Sequence, residues 1–182
     1  DYILPLYKER AIKHLVKLAG GKESVKNLTS DQLIAMKVAR DKIAKDMQFN
    51  TLKWFRPFKY QQKFFDMGAK FSRRGMIAAN RAGKTIASTY ETAYHLTGRY
   101  PKDWKGVRWD KPIIAMCSGE SWEQVAKTLQ SKLLGCDDIK QSYKIGTGSI
   151  PKYAIDEKSI RTDGANVLAI EVRHASGGKS KL

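Results

Sequence analysis

Met76-Ile77-Ala78-Ala79-Asn80-Arg81-Ala82-Gly83-Lys84-Thr85-Ile86 is the stretch on which the reading of this chain turns. A short apolar run enters a polar loop, and the loop closes on Gly-Lys-Thr. A segment with helical spacing follows, carrying Ile86, Tyr90, Ala93 and Tyr94 and stopping near Leu96-Thr97-Gly98. Read as strand, loop and helix, Ala78 to Thr85 form a phosphate-binding loop of the GxxxxGK[ST] type, with Ala78 where the first glycine usually sits. The chemistry accounts for the residue types. Successive backbone N–H groups cradle phosphate oxygens, the helix N-terminus adds its positive dipole end, and Gly83 allows close approach without a Cβ. On this reading Ala79, Asn80, Arg81, Ala82 and Gly83 surround the phosphates of ATP. Lys84 reaches the β- and γ-phosphates, and the Thr85 hydroxyl is a ligand to Mg²⁺. A bare Gly-Lys-Thr also fits an ordinary turn, so the assignment rests on the strand before it and the helix after it. Gly177-Gly178-Lys179-Ser180 has Arg173 at its first position and no room for a following helix, and it reads as a turn.

About twenty residues upstream stand Phe58, Tyr60, Gln61 and Gln62. A carboxamide donates and accepts at once, which suits an adenine edge, so Phe58 and Gln61 are candidate base contacts. The same spacing also fits an aromatic core helix with surface glutamines.

Further out, Pro112-Ile113-Ile114-Ala115-Met116-Cys117 reads as a second buried strand. Ser121 can cap a helix bearing Trp122, Val125, Ala126, Leu129 and Leu133, which ends at Gly135. Strand, helix, strand, helix predicts an α/β fold with a parallel sheet of the P-loop NTPase (ASCE) type. Residues 99–111 read as a connecting loop, and the alternation Val167 to Val172 as a further strand. Before Phe55 the pattern is helical. Ile12, Leu15, Val16 and Ala19 share one face until Gly20-Gly21, and Thr29 with Gln32 forms a capping box ahead of Leu33, Met36, Ile43 and Met47. The organisation expected is a helical appendage over residues 1–54 and the N-terminal part of an ATPase domain over 55–182.

At 182 residues the chain can bury one sizeable core. It is 42% hydrophobic with a mean hydropathy of −0.49 and has no apolar tract of the roughly 18 residues needed to cross a bilayer. Two cysteines and three scattered histidines give neither a disulfide framework nor metal spacing, and no leader is legible, so a cytoplasmic protein is expected. The net charge of +16 points to a polyanionic partner, nucleic acid first. It is spread along the chain, with 13 Lys/Arg against 6 Asp/Glu in residues 1–60, so it also fits a merely basic surface.

ATP hydrolysis needs an acidic pair at the end of another buried strand, one carboxylate for the Mg²⁺ shell and a Glu to activate water. Glu120 and Glu171 are the candidates, and neither follows its apolar run in that manner. The water-activating Glu is expected beyond Leu182, which makes this chain a piece of a longer polypeptide with little hydrolysis of its own.

From about Phe55 to Pro151 the sequence resembles the large terminase subunits that package DNA in tailed phages, most closely those of short-tailed lambdoid phages. Phe55-Arg56-Pro57-Phe58, Gln61, the loop from Ala79 to Thr85, and Trp104-Lys105-Gly106 carry the likeness. So do Gly119-Glu120, Gly148-Ser149-Ile150-Pro151 and, above all, Tyr94-His95-Leu96-Thr97-Gly98-Arg99-Tyr100-Pro101, which no general ATPase chemistry demands. The resemblance implies an ATP-driven motor that threads double-stranded DNA into a procapsid in the cytoplasm of the infected host. It implies a portal protein and a small terminase subunit as partners, a homo-oligomeric ring, and an endonuclease domain further along the chain. It also implies an arginine acting in cis on the γ-phosphate. Arg81 stands two residues before Gly83, where some members have the arginine three before, the place Asn80 holds here. A helicase-like P-loop motor and a non-enzymatic basic DNA-binding or assembly adaptor are the competing readings.

Overall fold

A computed structural model describes residues 29–182 of the chain. The chain divides into two compact units, Asp1–Gln48 and Phe49–Leu182. In the first, helix α1 (Ser30–Phe49, its last residue in the second unit) starts directly after Thr29, whose carbonyl accepts from Leu33 N at 3.0 Å. Met36, Ile43 and Met47 are half-buried, whereas Leu33 is exposed. The helix expected around Ile12 to Ala19, with its Gly20-Gly21 stop, lies outside the described residues.

The second unit is built on α4 (Lys84–Thr97), the helix that leaves the loop. Its apolar spacing works as expected: Ala87, Tyr90, Ala93, Tyr94 and Leu96 are buried. Gly98 ends it in the left-handed region at φ +64°, where glycine pays no Cβ penalty. Two shorter helices, α2 (Thr51–Trp54) and α3 (Lys59–Asp66), precede it. Phe55, between them, stacks on Tyr90 with ring centroids 3.8 Å apart.

Residues 99–111 form a loop without regular structure, as expected, yet Trp104 within it is buried. Its ring lies 5.3 Å from Phe65, 5.1 Å from Tyr94 and 5.4 Å from Tyr100. Tyr100 accepts a hydrogen bond from Trp109 N at 2.9 Å and lies 3.0 Å from His95 Nδ1. Burial pushes its hydroxyl pKa up. The run from Tyr94 to Pro101, with Trp104, is therefore a packing device that folds the loop onto the end of α4. Aromatic pairs of this kind contribute about 0.5–1.5 kcal/mol each beyond area burial.

Helical residues 122–134 begin at Ser121, whose Oγ accepts from Gln124 N at 3.2 Å, and end at left-handed Gly135. They comprise α5 (Trp122–Val125), a π-turn (Ala126–Gln130) and α6 (Ser131–Leu134). Buried Gln130 accepts from Val167 N at 2.8 Å and donates to the Asp137 carbonyl at 3.2 Å.

The sheet differs from the expected parallel one. Strands β1 (Ile155–Asp163), β2 (Asn166–Arg173) and β3 (Lys179–Lys181) are antiparallel in the order β1-β2-β3. Neither Met76 to Ala79 nor Pro112 to Cys117 is a strand. An apolar run becomes a strand only where a neighbour supplies the ladder, and among the described residues none pairs with 76–79. The second run makes a single parallel bridge, Ile114 to Lys181, with Ala115 N donating to Lys181 O at 2.8 Å and Lys181 N to Ile113 O at 2.9 Å. Ile77, Ile114 and Met116 consequently stand exposed. Gly177 and Gly178, both at positive φ, form the turn between β2 and β3. No helix among the described residues is long and apolar enough to cross a membrane.

Candidate phosphate-binding site

The loop from Ala78 to Gly83 meets α4 at Lys84, and two left-handed residues shape it. Gly83 has φ +81° and Arg81 φ +63°, the one non-glycine at positive φ among the described residues. The main chain thus bends sharply just before the helix. The opening amides of α4, including those of Lys84 and Thr85, lie in the first turn, where no intrahelical acceptor exists. The Lys84 ammonium folds back and donates to the carbonyls of Ala78 at 2.6 Å and Ala79 at 2.9 Å. Lys84 and Thr85 are half-buried, whereas Ala79, Asn80 and Arg81 are exposed.

Helix α3 holds the loop from outside. Gln61, 1% exposed, donates from Nε2 to the Gly83 carbonyl at 3.0 Å and accepts through Oε1 from Phe58 N at 2.9 Å. A Cβ on Gly83 would lie 2.9 Å from Gln61 Nε2, so glycine is required there for space as well as for φ. The Tyr60 hydroxyl donates to the Ala82 carbonyl. Phe58, two-thirds exposed, stacks on Tyr60 at 5.8 Å with the rings nearly parallel. Gln61 is thus bonded to the loop while Phe58 stacks on Tyr60, and both ends of the Gln61 carboxamide have partners within the protein.

Two supports are not legible as such in the sequence. Tyr60 stands in the upstream group with Phe58 and Gln61, but its type and spacing do not mark it as a brace for the loop. The Arg74–Glu91 pair gave no local signal, since 17 residues separate its members. Arg74, between α3 and the loop, donates to Glu91 Oε1 on α4 at 2.9 Å and to the Phe64 carbonyl at 2.7 Å, and its guanidinium stacks on the Phe64 ring at 4.7 Å. It fixes the approach of the chain to the loop. Of the two acidic candidates, Glu120 is exposed and Glu171 accepts from Lys179 at 2.9 Å.

A loop of this shape, with a lysine across it and a helix N-terminus behind it, can hold an anion through main-chain donors and one positive charge. The likeness to large terminase subunits is borne out by comparison with known proteins. The chain is 37% identical over 113 residues to the large terminase subunit of Salmonella phage P22, a match that covers 56% of this chain. It spans 22% of that relative's length. No family model matches the chain. No solved structure matches it either.

Proposed function

We propose that the chain is the nucleotide-binding part of a viral DNA-packaging motor, an ATPase with the incomplete core of a P-loop fold, acting on double-stranded DNA. The observation that carries this reading is the convergence of the Lys84 ammonium, left-handed Arg81 and Gly83, and the start of α4 on one loop. The likeness to a terminase large subunit supports the packaging role.

The residues present fit MgATP. That ligand supplies the phosphoryl group whose transfer to water drives movement. Lys84 would exchange its two carbonyl acceptors for phosphate oxygens, which are stronger partners for an ammonium. The amides at the start of α4 would donate to the same oxygens, and the Thr85 hydroxyl would be a ligand to Mg²⁺. Exposed Arg81 is within the loop that faces the phosphates, where a guanidinium counters negative charge. Phe58 offers a ring face to the base. Gln61 and Tyr60 keep the carbonyls of Gly83 and Ala82 turned away from the phosphates, where they would repel. In the packaging machine the partners would be the portal protein, the small terminase subunit and further copies in a ring, with an endonuclease domain outside the region matched here.

Thermal unfolding with and without MgATP tests the reading. A ligand at a hundredfold its Kd stabilises by about 2.7 kcal/mol, so wild type should melt several degrees higher and Lys84→Ala should not. No shift in wild type, with DNA affinity identical at all nucleotide concentrations, would favour a non-enzymatic adaptor.

A further inference from the structure

A second cleft, of about 660 Å³, opens at the far end of α4 from the loop. Tyr94, on its wall, follows Lys84 by ten residues, which places it on the order of 15 Å further along the helix. Four cationic side chains line it, Lys53, Arg56, Arg99 and Lys102, against one carboxylate, Asp103. They come from two segments far apart in sequence, and aromatic rings lie between them.

The arginines are held in place by neutral groups. Arg56 Nη1 donates to the carbonyls of Lys53 at 3.1 Å and Phe55 at 2.8 Å, leaving Nε and Nη2 as donors for a ligand. The Arg99 guanidinium lies 5.2 Å from the Tyr153 ring centroid, and its Nη1 reaches the Thr97 carbonyl at 3.4 Å. Neither is ion-paired to a carboxylate among the described residues. Arg74, by contrast, is paired with Glu91, and Lys179 with Asp156 and Glu171. Planar forks fixed by carbonyls and rings, with their charge uncompensated, suit a tetrahedral oxyanion that takes two donors at once.

We infer that this cleft is a phosphodiester site, in which Arg56 and Arg99, with Lys102 at the rim, grip the backbone of DNA. The choice of DNA over another polyanion rests on the packaging reading. The cleft is open to solvent and its fixed charged donors suit phosphate oxygens, which carry no sequence information, so the grip is indifferent to sequence.

Binding of a short DNA duplex, followed by anisotropy between about 50 and 200 mM salt, tests this, because log K falls with log salt by about 0.9 for each phosphate contact. The Arg56→Ala/Arg99→Ala chain should lose about 0.9 of slope per contact removed, whatever the DNA sequence. Lys158→Ala/Arg161→Ala, which removes the same charge from the exposed face of β1, should keep the wild-type slope. If the arginine pair fails to fold, the exposed Lys102→Glu decides, with weakened binding expected. An unchanged slope in a folded cleft variant overturns the proposal, as does an equal loss in the β1 control. So does loss of polyglutamate binding with DNA binding intact, which would assign the cleft to an acidic protein tail. The MgATP-induced melting shift should survive in every cleft variant. Its absence from wild type would count against the loop reading alone.

Discussion

Gln61 and Gly83 are joined by a hydrogen bond of 3.0 Å that spans 22 residues of sequence. Through it the last residue of the loop is held by a neighbouring helix before α4 begins. Gln61→Ala would leave the Phe58 N–H unpartnered and the Gly83 carbonyl with only Ala87 N, at a cost of about 1–3 kcal/mol where the N–H stays buried. Urea unfolding should show that loss, and the melting shift produced by MgATP should shrink as well. Gln61→Glu should do worse for the nucleotide than for stability. It keeps an acceptor for Phe58 N but sets a carboxylate against the Gly83 carbonyl and close to the phosphates. An undiminished MgATP shift in both variants would show that the loop keeps its shape unaided.

Arg81 occupies backbone space that costs a residue with a Cβ about 1–2 kcal/mol. Arg81→Gly should therefore raise the melting temperature of the free protein by a few degrees while weakening nucleotide affinity through loss of the guanidinium. A variant that is both less stable and unaltered in nucleotide binding would contradict both assignments.

Gly98 closes α4 beneath the ring of His174. A Cβ there would lie 2.3 Å from His174 Nε2, in a backbone of φ +64°. Gly98→Ala should be destabilising by more than the roughly 1–2 kcal/mol of the left-handed region alone. In a His174→Ala background the steric part of that loss should vanish and the backbone part remain, which a double-mutant cycle reads directly. Additive effects of the two changes would exclude the clash.

His174 also links stability to pH. Burial holds its pKa below the ordinary 6.5, and Nδ1 accepts from Ser176 N at 3.2 Å, a bond only the neutral ring can make. Between its folded value and 6.5 the unfolded chain binds a proton that the folded chain does not. Its contribution is complete above 6.5 and is lost as the pH falls through that window. Melting curves from pH 7.5 downward should show wild type losing more stability through this interval than His174→Gln, and parallel curves would refute the assignment.

The parts legible in the sequence were those written in local signals. Gly98 and Gly135 stop their helices, Ser121 starts one, and the spacing of Ile86, Tyr90 and Tyr94 gives α4 its buried face. Strand β1 was not legible, because Ile155 to Asp163 carries five acidic or basic residues on largely exposed positions and owes its form to pairing with β2. The direction of the sheet failed for the same reason, since pairing is decided between segments. At the candidate site the residue types were readable, but the facing of a side chain was not. A Gln61 carboxamide can donate and accept, yet only packing turns both functions toward the protein. The cations of the distal cleft, spread from Lys53 to Lys102, had no shared motif at all.

The burial of Trp104 gives the second unit an optical reporter. Its indole is 7% exposed among Phe65, Tyr94 and Tyr100, whereas Trp109 and Trp122 are 48% and 62% exposed. Emission from a shielded indole lies to the blue of that from a hydrated one. With Trp54, Trp109 and Trp122 replaced by phenylalanine, the blue component would follow the seating of residues 99–111 on α4. A loosening of that seat would then be seen as a red shift while the helical circular dichroism was still intact, separating release of the loop from loss of the fold.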